Sequence, residues 1–164
     1  MPQIVNIVLK YLLFGRITTK NLSKPRNFSG YTLKNGIKTA RVYSNGICMV
    51  TGVKSIEEAD EFVRTSFPSN PILQKSVRNI TATARIPFKV SSYDLFEWHR
   101  ANLNTSFFRY EGELFPAVYW KGEPETVYFF FTRAVIITGV KSFARLDLVW
   151  NNFLADLKRA VKQD

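Results

Sequence analysis

The chain has 164 residues, 46% of them hydrophobic and 22% charged, a globular composition without an apolar run long enough for a membrane-spanning helix. Its formal net charge is +10, and residues 1–56 carry nine basic groups and no acid, so the field around that half attracts polyanions. One cysteine, Cys48, excludes an intramolecular disulfide, and one histidine, His99, leaves no cluster for a metal other than carboxylates.

Met1 to Phe14 is apolar, but Gln3 and Asn6 interrupt it and no small-residue cleavage site follows, so it reads as a strand rather than a signal peptide. Val5, Ile7 and Leu9 fall on one side of a strand over Gln3–Leu13, and Asn6, Val8 and Lys10 on the other. Pro25 limits any helix in the connection that follows. Strands are then expected at Phe28–Lys34, Ile37–Tyr43 and Ile47–Thr51. Val42, Cys48 and Val50 oppose Arg41, Tyr43, Met49 and Thr51. A helix opens at Ser55 with Glu58 at capping-box spacing, and Ile56, Ala59, Phe62 and Val63 form its apolar side. An extended segment at Val77–Phe88 leads to a helix at about Ser92–Ala101. Strands at Phe115–Lys121, Thr126–Thr132 and Ala134–Thr138 follow, with Phe129, Phe131, Val135 and Ile137 opposing Tyr128, Phe130, Ile136 and Thr138. The last helix begins near Ser142, with a stripe of Phe143, Leu146, Trp150, Phe153, Leu154, Leu157 and Val161.

The chain repeats itself. Val50-Thr51-Gly52-Val53-Lys54-Ser55 recurs as Ile137-Thr138-Gly139-Val140-Lys141-Ser142, at an offset of 87 that also relates Phe28 to Phe115 and Tyr43 to Phe130. Asn6-Ile7 recurs as Asn79-Ile80 at an offset of 73, so the copies are in register except in one connection. The expected division is 1–76 and 77–164, two copies within one continuous domain. One face of each set of strands lies under helices. The other carries aromatic, Asn and Thr side chains that nothing remaining in the sequence covers, which marks a binding surface.

In this order and spacing the residues resemble the conserved core of the TATA-box-binding protein family, from about Pro2 to about Lys162. The carriers are Pro2-Gln3, Asn6-Ile7-Val8, Ser44-Asn45-Gly46, both Thr-Gly-Val-Lys segments, Asn79-Ile80 and Tyr110-Glu111-Gly112-Glu113-Leu114-Phe115-Pro116. The resemblance implies an α+β saddle, one curved antiparallel sheet of two pseudosymmetric repeats with helices on its convex side. It also implies a nuclear transcription initiation factor (or one at a viral replication site) that binds the minor groove of A·T-rich duplex DNA and bends it.

By the same resemblance, Phe28, Tyr43, Phe115 and Phe130 are wedges between base steps. TATA-binding protein is itself the standard example of that mode. Asn6, Thr51, Asn79 and Thr138 face base acceptors, with Val8, Met49, Thr81 and Ile136 beside them. Arg26, Lys34, Lys54, Lys121 and Lys141 face phosphates, and Glu111, Glu113 and Leu114 dock a transcription factor IIB-like protein. A transcription factor IIA-like contact falls on Lys24–Asn27. The chain departs from the family at Tyr43, Thr81, Arg41 (usually leucine), Ile47 (usually lysine) and Arg133 (a turn glycine).

No Gly-x-Ser-x-Gly, phosphate-binding loop or paired carboxylate on a strand face is present, so no enzyme, cofactor, metal or small-molecule substrate is expected. Two alternatives stay open: a paralogue that acts through protein partners with weak DNA binding, and a binder of single strands or RNA.

Overall fold

A computed structural model of the chain describes residues 1–18, 22–24, 30–102, 107–122 and 124–161. Contacts divide it into a first unit, Val5–Asn79, and a second, Ile80–Asp164 with Met1–Ile4. The class is α+β, as expected.

In the first unit the strands are β1 (Gln3–Leu13), β2 (Tyr31–Asn35), β3 (Lys38–Val42) and β4 (Ile47–Val53), followed by helix α1 (Ile56–Ser66) and the start of β5 (Ile72–Arg85). Their order is β2-β3-β4-β1-β5, and β2·β3, β3·β4 and β1·β4 pair antiparallel. The alternation read from sequence holds: Ile7, Leu9, Tyr11, Ala40, Val42, Cys48 and Val50 are buried, and α1 contributes Ala59, Phe62 and Val63. Ser55 caps α1 by accepting from the Glu58 N–H at 3.1 Å, while Glu58 accepts from the Lys54 N–H at 3.0 Å. Apolar burial of this kind is the main favourable term. One polar knot is set into it. The Tyr11 phenol donates to Asp60 at 2.8 Å, and the Lys75 ammonium donates to the other Asp60 oxygen at 2.6 Å.

The second unit holds the rest of β5, helix α2 (Ser92–Ala101), strands β6 (Phe108–Tyr110), β7 (Val118–Lys121), β8 (Thr126–Phe129) and β9 (Ala134–Val140), and helix α3 (Phe143–Ala160). The order is β5-β9-β8-β7-β6, again antiparallel. Val118, Trp120, Val127, Phe129, Val135 and Ile137 form the buried face, and Leu146, Val149, Trp150, Phe153 and Leu157 of α3 are buried as well. The rings of Phe108, Trp120 and Trp150 each lie about Phe153, at centroid distances of 6.3, 6.3 and 5.9 Å.

Several boundaries differ from expectation. β5 starts at Ile72, not Val77, because Leu73, Gln74, Lys75 and Ser76 are all exposed and carry no alternation to read. β7 starts at Val118, since Glu111–Phe115 close a turn in which the N–H groups of Leu114 and Phe115 both reach the Glu111 carbonyl at 2.9 Å. β8 stops at Phe129, where Phe130 and Ala134 bracket a turn. The three-residue β6 was not anticipated. β2 begins at Tyr31, and Phe28 lies outside the described residues.

The repeat is visible bond by bond. Gly46 N–H donates to the Tyr43 carbonyl at 3.0 Å and Arg133 N–H to the Phe130 carbonyl at 2.8 Å. The carbonyls of Gly46 and Arg133 then accept from Leu13 and Ile86, each at 2.9 Å. Pairing of β1 with β4 slips by one residue between Ile7 and Leu9, and pairing of β5 with β9 slips between Ile80 and Ala82. Each slip is a bulge centred on a glycine with positive φ, Gly52 at 82° and Gly139 at 80°. A Cβ there would stand 2.0 Å from the Ile37 carbonyl oxygen or 2.8 Å from that of Pro124.

Candidate nucleic-acid interface

The first-unit bulge fixes a polar cluster. Asn6 Oδ1 accepts from the Gly52 N–H at 2.8 Å, which orients the amide; Nδ2 then donates to Thr51 Oγ1 at 3.2 Å. The Thr51 hydroxyl lies within hydrogen-bond distance of Asn6 Oδ1 too, at 3.3 Å, so Asn6 and Thr51 sit together, half-buried, on the side away from α1, and the pair engages one of the two Asn6 amide hydrogens. In the second unit Thr81 and Thr138 stand at the matching bulge with their hydroxyl oxygens 3.3 Å apart. Asn79 and Val8 are half-buried in their strands.

Around these clusters each unit presents an in-register row of side chains. In the first, Thr32, Arg41, Met49 and Lys10 lie side by side across β2, β3, β4 and β1. In the second, Arg109, Tyr119, Tyr128, Ile136 and Thr83 lie side by side across β6, β7, β8, β9 and β5. Tyr43 shares an open cleft with Lys10, Asn45, Ile47, Met49 and Arg78.

Aromatic rings gather beside the second row. Phe115 is 44% exposed and makes edge contacts with Phe130 and Tyr128 at 6.1 and 5.9 Å; Tyr119 lies 6.4 Å from Tyr128. Phe115, Tyr119 and Tyr128 line a cleft with Arg109, Lys121 and Thr126. Phe115, Phe130 and Ile136 therefore share one side, while Phe28 and Arg26 fall outside the described residues. Lys34, Lys54, Lys121 and Lys141 are exposed. So are Glu111, Glu113 and Leu114, the last at 81% on the turn before Phe115.

Burial keeps two of the core's titratable groups neutral, while ion pairs keep two buried carboxyls charged. Burial pushes the Cys48 thiol up to about 12, so it is inert packing rather than a nucleophile. Burial, and then its bond to Asp60, raises the Tyr11 phenol far above its ordinary value. Burial also works against ionisation of Asp60, but the Lys75 ammonium and the Tyr11 donor outweigh it and hold the carboxyl below its ordinary value. The Arg145 guanidinium does the same for Glu125. Among the described residues no group of three or more His, Cys, Asp or Glu could hold a metal.

No family model matches the sequence. TATA-box-binding protein 2 of Entamoeba histolytica is 26% identical over 183 residues, covering 99% of this chain and 84% of that protein. TATA-box-binding protein 1 of the same organism is also 26% identical, over 99% of this chain and 76% of that one. The chain is thus similar to TATA-box-binding proteins over nearly all of its own length. A solved structure of Methanococcus jannaschii TBP superposes with a TM-score of 0.81 at 21% identity, over 96% of this chain and 98% of that one. That likeness establishes the fold, with the antiparallel sheet and helices read from the sequence.

Sequence reasoning missed Tyr119 and Arg109 as members of the open face. Tyr119 follows from the offset of 87 applied to Thr32, but only if Thr32 is first known to face outward. Arg109 lies on the short β6 and gave no periodic signal.

Proposed function

We propose that this chain is a transcription factor of the TATA-box-binding protein family that binds the minor groove of duplex DNA and bends it, without catalysing a reaction. The observation that carries the proposal is the face holding Phe115, Phe130, Tyr128 and Ile136, opposite the packed side of the second unit and bordered by Arg109 and Lys121. Phe115 and Phe130 are flat apolar plates able to replace base stacking, with Phe28 and Tyr43 as the counterparts in the first copy. Opening a step costs a few kcal/mol, offset by contact with the widened groove.

Asn6, Thr51, Asn79 and Thr138 suit the acceptors that A·T pairs expose, adenine N3 and thymine O2. Val8, Met49, Thr81 and Ile136 supply the neighbouring groove contacts. Lys34, Lys54, Lys121 and Lys141, with Arg26, take phosphates. The exposed turn Glu111–Leu114 carries two acids and a nearly bare leucine on a basic protein. DNA repels such a turn, and a transcription factor IIB-like protein is the partner we assign to it. Lys24 belongs to a segment for a transcription factor IIA-like contact. The nucleus is the compartment this role requires.

Fluorescence anisotropy with A·T-rich and G·C-rich duplexes at several salt concentrations tests the reading. Five phosphate contacts give a slope of log affinity against log salt of about −4.5. Tight A·T-rich binding, bending seen by energy transfer, and loss of both in Phe115→Ala are expected. Equal binding of the two duplexes with no effect of Phe115→Ala overturns it.

A further inference from the structure

The two open rows are the same backbone positions with different chemistry. At an offset of 87, Thr32, Arg41 and Met49 of the first unit correspond to Tyr119, Tyr128 and Ile136 of the second; at an offset of 73, Lys10 corresponds to Thr83. At the edge, Ser23 bridges to Thr32 as Arg109 pairs with Tyr119. The first row therefore has cations at Arg41 and Lys10, where the second has Tyr128 and Thr83; a second phenol, Tyr119, takes the place of Thr32, and the second row's cation, Arg109, stands at the rim.

Arginine and lysine only donate hydrogen bonds, whereas a phenol both donates and accepts. In the minor groove, guanine differs from adenine by one donor, its exocyclic amine. That amine opposes the donors of Arg41 and Lys10, and Tyr119 and Tyr128 have an oxygen that can take it. The phenol rings are positioned for this. They face each other across β7 and β8, and Tyr128 is braced edge-on by Phe115, the ring proposed to open the adjacent base step.

We infer that the two units read different half-sites: the Tyr119–Tyr128 row accepts a G·C pair, and the Arg41–Lys10 row requires A·T. The inference rests on the DNA-binding reading above and assigns a base composition to each half of it. It also gives the protein a direction on DNA, because a site with one G·C-containing half fits only one way round.

The test uses five duplexes of one length: A·T throughout, G·C in one half, G·C in both halves, inosine·cytosine in one half, and inosine·cytosine in both halves. Inosine keeps the pairing and lacks the amine. Because the protein is free to turn round, one G·C half binds within about two-fold of the A·T duplex, and two G·C halves bind at least about five-fold more weakly. Inosine in both halves restores binding. In the Tyr119→Phe/Tyr128→Phe double variant, the ratio of affinities for inosine and guanine in a single half rises from near one to about five or more. Equal losses for the first and second G·C halves, or an unchanged inosine-to-guanine ratio in the variant, overturn the inference while leaving DNA binding intact. Failure of the A·T duplex to bind overturns both.

Discussion

Replacing Arg133 with glycine is expected to make the protein more stable. Arg133 has φ of 70° and stands where the first copy has Gly46, at 89°. A side chain in this left-handed region costs about 1–2 kcal/mol, and glycine gives up about 0.5–1 kcal/mol of backbone entropy on folding. The net gain for Arg133→Gly is about 0.5–1 kcal/mol, or about 1–4 °C in melting temperature for a chain of this size. The reciprocal change is harsher. A Cβ on Gly46 would lie 2.5 Å from the Leu13 carbonyl oxygen, so Gly46→Ala adds a backbone clash to the left-handed cost. It is expected to lose about 2 kcal/mol or more. Differential scanning calorimetry of both variants reads the two signs on one turn geometry. A lower melting temperature for Arg133→Gly, or a higher one for Gly46→Ala, refutes the argument from backbone conformation.

Acid should weaken the fold through Asp60 and Glu125, both held below their ordinary values. Their contribution is therefore present above an unfolded value of about 4 and is lost as pH falls through the folded one. Urea midpoints between about pH 6 and pH 2.5 should fall on the acid side, and Asp60→Asn should flatten part of that fall; an unchanged slope counts against the knot with Lys75 and Tyr11. Cys48, buried and raised to about 12, should react with a thiol reagent only in denaturant; prompt reaction of the native protein would show that its packing is open. Glu125 sits 2% exposed against Arg145, and the positions matching them in the first copy are Lys38 and Glu58, the opposite arrangement of charge. Glu125→Lys should be strongly destabilising, and Arg145→Glu added to it should recover part of the loss in a double-mutant cycle; simple additivity of the two losses would exclude a direct pairing.

The features legible in the sequence were those that backbone geometry repeats. Gly52 and Gly139 were visible because no other residue fits the bulge, and their shared offset placed β4 and β9 together. Ser55 and Ser142 announced α1 and α3 because a cap needs a short oxygen side chain before an apolar stripe; α2 was expected at Ser92–Ala101 without its cap, which the structure places on Ser91. Less legible were elements without periodic burial. The start of β5 alternates nothing, and β6 is too short to show a period. Tyr119 joined the open face only once β7 and β8 were in register. The role of Asn6 was half visible: its exposure opposite the core could be read, but its grip on the Gly52 N–H could not.

Taken together, the two copies divide their residues into constrained and released positions. The bulge glycines Gly52 and Gly139, the turn hydrogen bonds and the buried apolar faces agree between copies because each protects the same backbone path, and changing one strands a polar group or fills an occupied space. The open row is under no such constraint: Thr32, Arg41 and Lys10 hold the same strand positions as Tyr119, Tyr128 and Thr83 without disturbing a pairing. Divergence there changes what the face can recognise at little cost to the fold. A duplicated scaffold that has kept its bulges while replacing its contacts is therefore better suited to an asymmetric duplex than to a palindrome, and the inosine substitution measures that difference directly.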